Sequence, residues 1–354
     1  MKASFLAVLA LLGLGIDAKK SRTHTVKSGQ SIQKTINGAR PGDCIHVNKG
    51  TYNEQLFIEK DGITLIGHGA QLAPPSRYKT NACTGVMGPG SQAGICIAGK
   101  GIKLADFIGV EHQKVLSVER PVKGVSVSGF TVRDFQGANI LVLGGENTRI
   151  DSNKFNNGAV YGFLAAGSKR TFVTNNIIKM PSEICFIALC VDDFRDAQAI
   201  GNTLSTYRIG LCVQTKNAQL RKNTITNGCV GAFVDPFTDG AVLSENKILQ
   251  PNTFANCPNG TVGIVVDGAI NSKITKNVIK DQTAAGLAIL DDDCTMGGLA
   301  CSTRPGQAAI ASNNAATQNV FEGNAFDVFI GSTGPGNVAT NNQCTSPPDI
   351  CMAN

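Results

Sequence analysis

Asparagine returns along this chain at a nearly fixed interval, and two residues after each one stands an apolar side chain. The units are Asn153-Lys154-Phe155, Asn176-Ile177-Ile178, Asn202-Thr203-Leu204, Asn223-Thr224-Ile225, Asn246-Lys247-Ile248, Asn277-Val278-Ile279 and, as a seventh, Asn319-Val320-Phe321. The asparagines stand 23, 26, 21, 23, 31 and 42 residues apart, and the last two intervals read as one repeat plus an inserted loop. A period of this size marks repeats that cannot each bury their own apolar face and must stack to do so.

Each repeat has the same internal grammar. A glycine precedes a short alternating strand, as in Gly210-Leu211-Cys212-Val213-Gln214 and Gly263-Ile264-Val265-Val266-Asp267. A polar turn follows, then a second strand ending at the asparagine, then a very short third. Segments this short, with a period of two, are strands rather than helices. Stacked coils then pair strand on strand in parallel. The asparagines come to lie above one another in a tight bend, their amides bonded along the stack. Forty glycines and no tryptophan suit many short strands and tight turns, not a helical domain.

The start of the chain reads as a processing signal: Lys2, an apolar stretch from Phe5 to Ile16, then Ala18 before Lys19-Lys20-Ser21-Arg22. That stretch is too short to cross a bilayer of roughly 30 Å as a helix, so residues 1–18 are expected to be a cleaved signal peptide. No later segment is apolar enough to span, so the mature chain is expected to be soluble, secreted and without a membrane partner. Twelve cysteines, an even number in an exported chain, point to disulfides. Cys83/Cys96, Cys294/Cys301 and Cys344/Cys351 are spaced to close short loops. Zinc is disfavoured, because no C-x-x-C pair exists and the four histidines lie far from most cysteines. Asn259-Gly260-Thr261 is a glycosylation sequon. The net charge of +6 comes without a long Lys/Arg run, which excludes a nucleic-acid footprint but suits an acidic polysaccharide. The expected state is a monomer.

With its asparagine repeat, the chain resembles the pectin-lyase-like right-handed parallel β-helices, secreted proteins of the fungal type. The N-terminal segment resembles them too, in Ser28-Gly29-Gln30-Ser31-Ile32-Gln33, Pro41-Gly42-Asp43, Gly50-Thr51-Tyr52 and Ile63-Thr64-Leu65-Ile66-Gly67. The resemblance implies an all-β solenoid over residues 27–344, with an asparagine ladder, a short N-terminal capping helix and a C-terminal tail at 345–354. It is specific for fold and weak for activity, since one scaffold hosts lyases, hydrolases, epimerases, esterases and adhesins.

Aligning the coils on their asparagines exposes a column at the end of the strand after each glycine: Leu141, Ala166, Asp192, Gln214, Asp235, Asp267 and Leu290, the last followed by Asp291-Asp292-Asp293. Alternation sends Leu211, Val213, Ile264 and Val266 inward, and Cys190, Cys212, Phe233, Val265 and the column outward. Cys190 and Cys212 then stand in equivalent places about 4.8 Å apart, within disulfide range.

The acids rise on one outer face, and Asp192, Asp193, Asp235 and Asp267 are the candidate catalytic carboxylates. Asp192 and Asp235 flank the Gln214 coil, about 9.6 Å apart along the backbone, near the roughly 6.5–9.5 Å of an inverting glycosidase. Asp235 and Asp267, in adjacent coils, share a proton or take up calcium, with Asp291 beside them. Arg195, Arg208 and Lys216 are candidate partners in lyase chemistry, and Phe233 and Gln214 candidate substrate contacts. Val234-Asp235-Pro236-Phe237 resembles the Asp-Pro-His motif of mannuronan epimerases, with Phe237 in place of histidine. Asp192-Asp193 resembles the paired aspartates of polygalacturonases, whose Gly-His-Gly is missing here and whose Arg-Ile-Lys is only partly matched by Arg208-Ile209-Gly210. No histidine falls in the central coils, which disfavours imidazole chemistry there.

The leading expectation is a secreted carbohydrate-active enzyme acting on an acidic, pectate- or alginate-like polysaccharide by lyase or hydrolase chemistry. One alternative is a non-catalytic secreted β-helix that binds walls or engages a host. Another is a small-molecule enzyme with an apolar pocket under the loops at 251–261 and 291–316.

Overall fold

The computed structural model describes residues 21–109, 111–180, 185–249, 257, 260–294 and 306–351. The signal segment, Asn259 and Cys301 lie outside them, as does most of the 251–261 loop. The chain winds as a right-handed parallel β-helix with three long parallel sheets of twelve, ten and ten strands.

The bend after the second strand is built by the asparagines. Asn153, Asn176, Asn202, Asn223, Asn246, Asn277 and Asn319 are all buried, and each side-chain Oδ1 from Asn176 onward accepts both the backbone N–H and the side-chain amide of the asparagine one coil before it. Asn342 extends the ladder by one more rung. The residue before each rung lies in the left-handed region: Ser152, Asn175, Gly201, Lys222, Glu245, Lys276 and Gln318. For Lys and Glu that conformation is unfavourable, so the ladder's hydrogen bonds hold the bend against local preference.

The site-bearing sheet carries the longest strands, among them Tyr161–Ala166, Cys185–Asp192, Tyr207–Val213, Val230–Val234, Val262–Asp267 and Ala285–Leu290. Phe163, Leu189, Leu211, Ile264 and Leu287 point from it into the main core. Adjacent coils approach too closely for a side chain at Gly210, Gly231 and Gly263. A Cβ at Gly231 would stand 2.5 Å from the Gly263 carbonyl oxygen. The register also moves one position of the column: Leu143, not Leu141, stands beside Ala166, and Leu141 belongs to the row of Leu164, Cys190, Cys212 and Phe233.

The N-terminal opening of the core is closed by helix α1, Ile32–Gly38, whose Ile32 and Ile36 are buried one turn apart. Glu54 caps its start, accepting from the Ser31 hydroxyl at 2.7 Å and the Ile32 N–H at 2.8 Å. A second helix, α2, Pro348–Cys351, follows the last coil and is tied by Cys344–Cys351.

Cys83–Cys96 and Cys190–Cys212 are bonded, the latter with a Cα separation of 4.4 Å across adjacent coils, as its register requires. Cys229–Cys257 is a further pair that spacing alone did not single out. For Cys294/Cys301, the second partner is outside the described residues.

The outer face of the long-strand sheet is not open in the early coils. Leu141, Leu143, Leu164, Cys190 and Cys212 form a second buried cluster with Cys83, Val86 and Met87. Ile102, Leu104 and Val115, from the antiparallel hairpin Lys100–Leu104/Val115–Arg120, pack on its edge. The segment from 83 to 115 is thus a roof over this face, and it ends where the acid column begins.

Candidate active site

Asp192, Gln214 and Asp235 close three consecutive long strands and continue their register: Val191 pairs with Val213 and Val213 with Val234. One strap of the roof, Glu111 to Lys114, bends over them. His112 Nε2 lies 2.8 Å from Asp192 Oδ2, and its Nδ1 3.0 Å from the Tyr161 hydroxyl. Lys114 Nζ donates to Gln214 Oε1 and stands 3.4 Å from Asp192 and 3.6 Å from Glu111. Gln214 turns its amide to Asp235 Oδ1 at 3.0 Å and to Glu111 Oε2 at 3.3 Å. The result is a chain of contacts from Tyr161 through His112, Asp192, Lys114 and Gln214 to Asp235. It opens on a cavity of about 240 Å³ lined by Lys114, Asp192, Phe194, Gln214, Lys216 and Phe237, among others.

Three carboxylates around one ammonium cannot all ionise cheaply. Burial pushes the Asp192 carboxyl up, but Lys114 and the His112 hydrogen bond outweigh it and hold it below its ordinary value. Asp235 goes the other way: burial, then the nearby Glu111 charge, raise it well above the usual carboxylate range. Burial also disfavours the Lys114 cation, yet Asp192, Glu111 and Asp235 together raise its pKa and keep it charged. Environments that push two carboxyls apart assign one as acid and the other as base.

Two further acids are raised to about 7. Asp193 is buried near Thr171 and Ser168, and Asp267 is half-buried beside Asp292. A raised carboxyl keeps its proton in the folded state at a pH where the unfolded chain has lost it. Stability then falls as pH climbs from the unfolded pKa to the folded one. The lowered acids, Asp43, Asp151, Asp192, Asp239 and Asp291, contribute stability above their ordinary value of 3.8 and lose it as the pH falls below that. Melting followed by calorimetry should therefore show a maximum near about pH 4–5 and a decline toward about pH 7. A melting temperature that keeps rising to neutral pH would contradict these assignments.

The remaining sequence candidates are dispersed. Asp193 lines the same cavity, with both carboxyl oxygens buried and without a hydrogen-bond partner among the described residues. Arg195 pairs with Asp196 at 2.9 Å, and Lys216 pairs with Asp239 at 3.0 Å at the cavity edge. Arg208 is exposed near the start of Tyr207–Val213, six residues before Gln214, so an extended chain puts it roughly 20 Å from the column. Phe233 is half-buried between Cys212 and Val265.

The acids expected to hold calcium take separate partners. Asp235 is bound by Gln214 and Asp267 faces Asp292, while Asp291 accepts from Ala311 N at 2.9 Å and from Thr333 N at 2.8 Å. Among the described residues no group of three or more His, Cys, Asp or Glu side chains is placed to hold a metal ion.

The strap corrects the expectation that imidazole is absent from the central coils: His112 arrives there from 80 residues away. Glu111, His112 and Lys114 are not among the sequence candidates, because segment 74–121 carries no repeat; Tyr161 lies in a repeat strand but outside the acid column. A signal for them was present nonetheless. Outward positions in the early coils are apolar (Leu141, Leu164, Cys190, Cys212), and apolar outward rows require a cover.

No protein-family model matches the chain, and no curated protein resembles it in sequence. Solved structures do resemble it. An alginate lyase from Paenibacillus sp. superimposes with a TM-score of 0.56 at 14% identity, over 89% of this chain and 99% of that one. The A-module of the Azotobacter vinelandii mannuronan C-5 epimerase gives 0.52 at 13%, over 89% and 95%. A family 28 exopolygalacturonase from Yersinia enterocolitica gives 0.52 at 11%, over 92% and 79%. At such identities the likeness shows the fold alone: this chain shares the right-handed parallel β-helix of these pectin-lyase-like structures.

Proposed function

We propose that the chain is a secreted hydrolase of acidic polysaccharides, with Asp235 as general acid and Asp192 as general base. One observation carries this reading: two carboxyls on one column, two coils apart, stand in surroundings that shift their pKa values in opposite directions, Lys114 and His112 lowering Asp192 while burial and Glu111 raise Asp235. Two coil steps of about 4.8 Å each place their strands at the upper end of the roughly 6.5–9.5 Å range that leaves room for a water. Asp235 gives its proton to the glycosidic oxygen as the C–O bond breaks. Asp192 takes a proton from the water that forms the new C–O bond on the opposite face of the sugar. Tyr161 and His112 orient Asp192, and Lys114 and Lys216 face the carboxylates of the polymer.

The acidic substrate class is supported by the net charge of +6 and by those two lysines at the cavity. The likeness to an alginate lyase, a mannuronan epimerase and an exopolygalacturonase supports it too. Secretion is supported by four disulfides among the described residues. No helix of the described residues is long and apolar enough to cross a membrane.

A second reading, a non-catalytic polysaccharide-binding protein, is favoured by the closure of the strap: Asp235 is only 3% exposed beneath it. Under the hydrolase reading the polymer must lift Glu111 and Lys114 to reach Asp235. The test is incubation with pectate, alginate and glucuronan, following reducing ends and the ultraviolet absorbance of unsaturated uronate ends. Reducing ends without that absorbance are expected. Unsaturated ends would mean lyase chemistry, and retained binding with neither product would mean the binding protein.

A further inference from the structure

The N-terminal cap holds more open space than the acid column. Two concavities, of about 340 Å³ and 560 Å³, meet at Ser31 and Lys34 on either side of helix α1. The first is walled by Arg77 and Lys79 from the segment after strand Ala70–Ala73, and by side-chain amides of Gln33, Asn37 and Gln55. Its one acid, Glu54, is already engaged, accepting from the Ser31 hydroxyl and from the Ile32 and Gln33 N–H groups. The helix start is therefore occupied and does not make the site.

What the wall offers is different. Lys34, Arg77 and Lys79 are exposed, and none of the ion pairs among the described residues involves them. The amides are held in place rather than free to rotate. Gln33 bridges Asn37 at 2.8 Å and the Phe57 backbone, and Gln55 spans Gln92 and the Lys79 N–H. Three cations around fixed amides in a concave wall match a ligand that carries both carboxylates and hydroxyls. The capping role of the helix does not need them, since it is met by Ile32 and Ile36 beneath.

We infer that this cap is a second saccharide site, taking a segment of acidic oligosaccharide through Lys34, Arg77 and Lys79, apart from the acid column. The inference rests on the preceding reading for the class of ligand only, and the site has no catalytic group.

The test uses the full chain and uronate hexamers, with binding followed by calorimetry and by NMR shifts of the cap residues. The triple variant Lys34→Ala/Arg77→Ala/Lys79→Ala is expected to lose about tenfold or more in affinity for that site. It should keep its melting temperature and its turnover of short oligomers, because all three side chains are exposed. Asp192→Asn should leave cap binding unchanged. This separates the two proposals: a chain with no activity on any polymer can still show the cap site. Unchanged affinity in the triple variant would overturn the inference, and so would inorganic phosphate competing as well as the hexamer at equal charge.

Discussion

Asp192→Asn and Asp235→Asn are expected each to lower polysaccharide turnover by about 10²–10⁴-fold, the usual contribution of one general acid or base, while differing sharply in stability. Burial and Glu111 raise the Asp235 carboxyl well above the usual range and so favour its neutral form, which an amide of the same shape replaces while retaining the contact with Gln214. Its variant should melt close to the parent. Asp192 is the ionised partner of Lys114 and the acceptor for His112. Removing its charge leaves a buried ammonium without its main counter-ion, which costs about 3–5 kcal/mol where such pairs are broken. Its variant should lose activity and melt markedly lower. Equal destabilisation of the two variants, measured by thermal unfolding with activity on the same preparations, would contradict the assigned protonation states.

The second large effect belongs to the scaffold. Asn223→Leu is expected to cost about 2–6 kcal/mol, because the leucine fills the space but leaves two buried backbone groups without partners at about 1–3 kcal/mol each. Those groups are the Asn202 N–H, which donates to Asn223 Oδ1 at 3.0 Å, and the Ala199 carbonyl, which accepts from Asn223 Nδ2 at 2.9 Å. The left-handed backbone at Lys222 would also lose the bonds that hold its bend. Urea unfolding of this variant beside Lys222→Ala separates the ladder from the exposed turn. A loss below about 0.5 kcal/mol, typical of surface changes, would show that the ladder does not hold the coil.

The ladder was legible because a stacked solenoid writes its period into the chain. An asparagine that must sit above another asparagine recurs at coil length, and the outward place of Asp192 and Asp235 follows from the same register. Cys190 and Cys212 could be paired for that reason. The strap was not legible because its residues answer to no period. His112 and Lys114 look like ordinary loop residues, and only the fold of 74–121 across three coils brings them to Asp192. The sharing of charge was also hidden. Register alone makes Asp235 and Asp267 a pair, but Asp235 turns to Gln214 and Asp267 to Asp292. Side-chain direction at a strand end is set by what covers it, and a cover drawn from elsewhere in the chain leaves no mark on the repeat.

The central claim is that the acid column performs hydrolysis with Asp192 as base. The most direct measurement is the anomeric configuration of the first reducing end released from a homopolymeric polyuronate, followed by proton NMR for the parent chain and for Asp192→Asn. The account predicts the inverted anomer from the parent and no comparable release from the variant. A retained anomer, an unsaturated non-reducing end, or the same rate of release from both proteins would contradict it.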